Sequence, residues 1–103
     1  MKNNSPISKR LKEARQEAKL SQKQLGIASG IDEFVASARM NQYETGKHVP
    51  DFMIIQKIAK VLRVPASFFY TSDDELALLI KLYGRTTKAK QRSLINFAKE
   101  LTD

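Results

Sequence analysis

Apolar residues recur along the chain at helical intervals, and glycine, proline and capping residues divide the pattern into seven segments. Ile7, Leu11, Ala14 and Ala18 fall on one face of a first helix, over about Ile7–Ala18, and Arg15 lies on that same face. Residues 1–6 before it are polar and are expected to form a disordered arm. A short second helix follows over about Gln22–Ser29. Ser21 and Gln24 have capping-box spacing at its start, Leu25, Ala28 and Ser29 keep the helical period, and Gly30 ends it. The connection Ile31–Val35 is longer than a tight turn requires, and its apolar Phe34 and Val35 are expected to pack. A third helix, about Ala36–Thr45, carries Ala36, Met40, Tyr43 and Glu44 on one face. Ser37, Ala38, Arg39, Asn41 and Gln42 spread over the other, and Gly46 closes the helix.

Beyond the turn Thr45–Pro50, Asp51 caps a fourth helix, Phe52–Leu62, with Ile55, Ile58, Ala59 and Leu62 inward. Pro65 suits the first position of a short fifth helix. Its Phe68 and Phe69 read as core plugs, because base-stacking platforms usually present aromatics from an exposed sheet. Ser72 and Glu75 repeat the capping-box spacing ahead of a sixth helix, Asp73–Tyr83. Leu76, Leu79, Ile80 and Tyr83 form one stripe, and Leu78 and Leu82 extend it to another side, so this helix has more than one surface to cover. Gly84 breaks it. Thr87 caps a seventh helix, about Lys88–Leu101, whose stripe is Leu94, Phe97, Ala98 and Leu101. The last two helices read as a hairpin that either supplies a homodimer interface, the favoured reading, or packs back on the short fifth helix.

The stretch 21–47 carries the chemistry. Two short helices around a glycine-bearing connection are a helix-turn-helix pattern, in which the second helix enters a DNA major groove. The outer residues of the third helix suit that role. Asn41 or Gln42 can pair bidentately with adenine, Arg39 with guanine, and Ala38 can touch a thymine methyl, with Ser37 as a further hydrogen-bonding group. The same face is also compatible with plain solvation. Gln22 and Lys23 sit in the first turn of the second helix, where free backbone N–H groups favour a phosphate or simply water. Lys47 is placed beside the third helix, within reach of a nucleic-acid backbone, while His48 reads as a solvated loop residue. Arg15 and Glu44 both face inward. An unpaired buried charge is costly, so the two are expected to pair, the alternative being an arginine stem snorkelling at the edge of its face.

Composition narrows the field. With 103 residues and 42% hydrophobic content, the chain can build one compact domain and a small appendage. It has no cysteine and one histidine, so disulfides, thiolate metal sites and a histidine-based zinc site are not expected. No apolar run approaches the roughly 20 residues of a membrane span, and the first residues lack a secretory signal, so a cytoplasmic protein is expected. The formal net charge is +7, compatible with a polyanionic partner but spread over both halves of the sequence. The basic run Lys81, Arg85, Lys88, Lys90 and Arg92 reads as a solvated face, with a phosphate contact as the alternative. No paired carboxylates, nucleophile–histidine arrangement or phosphate-cradling glycine loop points to catalysis, and no cofactor, metal or small-molecule ligand is expected. Asp73, Asp74 and Glu75 cluster at a helix start, where capping and the helix dipole account for them.

Several spaced motifs then agree with one family. Leu11 and Arg15, LSQKQL at Leu20–Leu25, Ala28 and Gly30, MNQYETGK at Met40–Lys47, Pro50, and IAKVLRVP at Ile58–Pro65 together resemble the Cro/phage-repressor type of helix-turn-helix, the XRE family. The resemblance covers about residues 7–70 and departs at Ile31–Val35, where the connection is longer than the family's usual turn. It implies an all-α fold, a five-helix lambda-repressor-like domain, here followed by the C-terminal helical hairpin of residues 71–103. It also implies a sequence-specific regulator that binds double-stranded DNA. By the same resemblance Gln22 contacts phosphate, Ser37, Ala38, Asn41 and Gln42 read bases with Arg39 flanking, Lys47 follows the closing glycine, and Arg15–Glu44 is a structural ion pair. The competing expectation is a protein–protein adaptor or antitoxin-like partner whose DNA binding is secondary.

Overall fold

The computed structural model describes residues 5–102; most of the expected N-terminal arm, residues 1–4, lies outside the described residues, as does the C-terminal residue. The described chain forms α1 (Ile7–Glu17), α2 (Gln22–Ala28), α3 (Ala36–Thr45), α4 (Phe52–Leu62), α5 (Asp74–Gly84) and α6 (Lys88–Thr102). A 3-10 turn, Ala66–Tyr70, lies between α4 and α5. The fold is all-helical, as the periodicity predicts. Helix boundaries agree with the capping chemistry. The Asp51 carboxylate accepts from the Ile54 N–H at 2.9 Å to open α4, and Pro6 stands at the N-cap of α1 with the Ser5 hydroxyl accepting from the Ile7 N–H.

One apolar core joins α1 to α4 and the 3-10 turn. Leu11, Leu25, Ala36, Met40, Ile55, Ile58 and Phe69 are fully buried, and Phe68 meets Phe69 edge to face at 5.3 Å. Each large aliphatic or aromatic side chain buried this way contributes roughly 1.5–3 kcal/mol. The inward faces expected for the third and fourth helices are the buried ones.

Five expectations are corrected. The short fifth helix is a 3-10 turn, with Pro65 as its extended N-cap rather than its first residue; five residues leave room for a single tight turn, closed by Phe68 N–H to Pro65 C=O at 3.0 Å. The cap of α5 is Asp73, whose carboxylate accepts from the Leu76 N–H at 3.0 Å, not Ser72. Ser72 instead offers its carbonyl to Arg10, which shifts the helix start by one residue. Ala18, expected on the inward face of the first helix, is exposed because α1 has already ended at Glu17. α5 ends at Gly84 as expected of a helix-breaking glycine, but includes it, one residue beyond the expected Tyr83. Finally, Phe34 and Val35 do not pack: Phe34 is 89% exposed.

The C-terminal hairpin is held differently from the rest. α5 buries Ala77 and rests Ile80 against the core, but Leu76, Leu78, Leu79 and Leu82 stay exposed. α6 has no buried residue at all. Between them lies an open apolar groove of about 600 Å³, with Pro65, Leu79, Tyr83, Ile95 and Leu101 among its walls. The radius of gyration is 15.0 Å, against about 13 Å for a compact chain of 100 residues, and the long axis reaches 50 Å. Polar contacts fix α5 to α1. Asp74 pairs with Lys9 and Arg10, and Glu17 pairs with Lys81 and Arg85. Two members of the basic run are therefore structural, while Lys88, Lys90 and Arg92 form the solvated face.

Candidate nucleic-acid interface

The site is built on the crossing of α2 and α3. The capping box at the start of α2 is complete: the Ser21 hydroxyl accepts from the Gln24 N–H at 2.9 Å, and the Gln24 side chain accepts from the Ser21 N–H at 2.8 Å. At its other end the Gly30 N–H bonds the Ile27 carbonyl and the Ile31 N–H bonds the Gly26 carbonyl, a Schellman motif that needs the left-handed φ of +87° at Gly30. Between the two ends, Gly26 lies directly against α3. A Cβ there would stand 2.8 Å from the Ala36 Cβ and 3.1 Å from its carbonyl oxygen, so the two helices can cross this closely only without a side chain. Sequence reasoning passed over Gly26. Its signal was available, since an interior helix glycine is unfavourable unless something approaches it.

Behind α3 sits the expected ion pair. Arg15 Nε lies 2.5 Å from Glu44 Oε2 and Arg15 Nη2 lies 3.0 Å from Oε1, a bidentate pairing, while Nη1 donates to the Leu20 carbonyl at 2.9 Å. The Glu44 side chain is only 3% exposed. Its hydrogen bonds raise the pKa of the Arg15 guanidinium against the opposing effect of burial. The same carboxylate organises the front of the site. Gln22 Nε2 donates to Glu44 Oε1 and to Asn41 Oδ1, both at 3.2 Å, so one chain of hydrogen bonds runs from α1 through α3 to α2. Ser8, a residue the sequence did not single out, donates its hydroxyl to the Tyr43 carbonyl at 2.8 Å and docks α1 on the end of α3.

In front, Lys23, Ser37, Ala38, Arg39, Asn41 and Lys47 are exposed, and Gln22 and Gln42 are half-buried. The structure brings Gln22 and Asn41 into contact and keeps Ser37, Ala38, Arg39 and Gln42 on the open side of α3. Thr45, also exposed, completes that side one turn after Asn41 and was not among the expected site residues. Amides, a guanidinium, a hydroxyl and a methyl projecting from one rigid helix can hydrogen-bond base edges and touch a thymine methyl. The cations Lys23, Arg39 and Lys47 are free to meet phosphate.

A helix-turn-helix family model matches residues 11–69. The chain belongs to the XRE-type helix-turn-helix family of DNA-binding regulators. The solved structures similar to it include the crystal structure of transcriptional regulator BswR, 45% identical, with a TM-score of 0.84 over 91% of this chain and 93% of that one. That coverage carries the likeness past the XRE-type domain into the C-terminal helices. No curated protein sequence matches the chain. No helix among the described residues is long and apolar enough to cross a membrane.

Proposed function

We propose that this protein binds duplex DNA sequence-specifically as a homodimer and so regulates transcription, each copy laying α3 in the major groove. The observation that supports this best is the asymmetry of α3. Its back is fixed by Glu44 in a buried ion pair, and its front keeps the polar tips of Asn41 and Arg39 in solvent. Ser37, Ala38, Arg39, Asn41 and Gln42 contact bases in this reading, and Gln22, Lys23 and Lys47 contact phosphate. The contact between Gln22 and Asn41 orients both residues and leaves Asn41 with bonding capacity to spare, whereas both Gln22 amide N–H groups are engaged, to Asn41 and Glu44, and one must be released to meet phosphate. Asn41 Oδ1 has a second lone pair and its NH₂ remains a donor, the set that adenine requires.

In this reading residues 7–70 read DNA and residues 71–103 join two copies. The exposed leucines of α5 and α6 and the groove between them support a second copy as occupant. Two α3 helices would then meet half-sites about 34 Å apart, one turn of duplex. Selection of bound sites from a random duplex pool tests the proposal; a preferred sequence with two-fold symmetry is expected. On that sequence Gln42→Ala should weaken binding by about 1–3 kcal/mol while sparing nonspecific duplex, and equal loss on both would contradict base reading. The same groove also favours the second reading, an adaptor or antitoxin-like protein that awaits a different partner. Light scattering on the isolated chain separates the two: a dimer mass supports the first, a monomer the second.

A further inference from the structure

Phe34 is the most exposed large apolar side chain among the described residues, and it stands where α3 begins. It immediately precedes Val35, the N-cap of α3. Nor is its position loose. The Asp32 carboxylate accepts from the Phe34 N–H at 2.9 Å, and the Asp32 carbonyl accepts from the Val35 N–H at 3.1 Å, an Asx turn laid over a β-turn. The α3 ladder starts at once behind it, with the Arg39 N–H bonded to the Val35 carbonyl at 2.8 Å. The longer connection between α2 and α3 thus ends in a fixed turn that holds an aromatic ring in water.

A helix docked as a recognition helix leads with its N-terminal residues, which reach the base edges. Phe34 is the first large side chain on that leading end, two residues ahead of Ala36 in the turn that opens α3, and the exposed Ala38 and Asn41 follow on the helix itself. Its neighbours Asp32 and Glu33 are acidic and exposed, which makes this tip unfit to grip phosphate. An uncharged ring carried into the groove meets one apolar feature there, the C5-methyl group of thymine. We propose that Phe34 is a specificity-determining residue that packs on a thymine methyl at one end of each half-site, extending the sequence read by α3. The proposal rests on the reading of α3 as the groove-entering helix.

The test uses the full chain and its Phe34→Ala variant against the same random duplex pool. Melting temperature should not change, since the ring touches so little of the fold. Wild type should select a thymine that Phe34→Ala no longer requires. Replacing that thymine by deoxyuridine, which removes only the methyl, should weaken wild type about fourfold, the value of burying one methyl-sized group, and leave the variant unaffected. Identical selected sequences and identical deoxyuridine responses would overturn the assignment, as would a change in oligomeric mass without a change in DNA preference, which would make Phe34 a protein contact. The underlying reading fails separately. In that case wild type selects no sequence at all, whereas a wild-type preference altered by Gln42→Ala but untouched by Phe34→Ala removes only the role of Phe34.

Discussion

The helix-turn-helix part, α1 to the 3-10 turn, and the C-terminal pair α5 and α6 both carry apolar stripes, yet they dispose of them in opposite ways. In the first, the stripes of four helices meet around Leu11, Leu25, Ile55, Ile58 and Phe69, and the charged pair behind α3 is held by hydrogen bonds on every side. In the second, Ala77 is the one buried residue, and leucines at 76, 78, 79, 82, 94 and 101 face solvent. What fixes α5 in place is largely polar: Arg10, buried to 2% exposure, donates to the Thr71 and Ser72 carbonyls and to Asp74 while its guanidinium stacks over Phe68. Arg85 donates to the Leu62 and Arg63 carbonyls at the end of α4 and pairs with Glu17. A helix covered by its own chain needs no partner. One attached at its edges by polar contacts keeps its apolar face uncovered.

The sharpest way to break this contrast is to disturb the closed half. Arg15→Leu leaves Glu44 buried without its cation and should destabilise the chain by about 3–5 kcal/mol in urea unfolding, the usual cost of breaking a buried pair. Combining it with Glu44→Leu should recover much of that loss, and a coupling energy near zero would show that the two residues act independently. Next in size is Gly26→Val. Its side chain must push α3 away, so a loss of about 1–3 kcal/mol in thermal unfolding is expected, together with weaker duplex binding; an unchanged melting temperature would mean that the crossing is not tight.

The open half should respond more weakly and more locally. Arg85→Ala removes contacts that are mostly in solvent and should cost about 1 kcal/mol, read as faster amide exchange in α5 with α1 to α4 unchanged. Smallest and most gradual is the effect of acid. Hydrogen bonds from Lys81 and then Arg85 hold the Glu17 carboxyl below its ordinary value, and those from Arg10 and Lys9 do the same for Asp74. Folded values below the unfolded ones mean that this attachment is at full strength above the ordinary carboxylate range. It weakens as pH falls below that range and through the lowered values. Protection factors of the α5 amides should therefore fall on acidification before those of α3, and added salt should act in the same direction. Simultaneous loosening of both halves would erase the distinction.

Much of this molecule was legible in one dimension because its determinants are local. Helical period, capping residues and the glycine at position 30 depend on neighbours a few positions away, and they placed every long helix. The inward faces of α3 and α4 followed from the same spacing. Even the Arg15–Glu44 pair could be read, because two opposite charges on two buried faces leave few other solutions. The solvent-facing set on α3 followed as the complement of its buried face.

What the spacing could not fix depends on distances between segments far apart in the chain. Arg10 became the anchor of α5 because Thr71, Ser72 and Asp74 arrive beside it, and their arrival moved the cap of α5 from Ser72 to Asp73. Gly26 matters because Ala36 comes within a carbon's width of it. Phe34 was expected inside on hydrophobicity alone; the Asx turn at Asp32 and the filled core beneath α3 left it outside. Hydrophobic pattern decides which residues seek cover, while the packing of whole helices decides which of them find it.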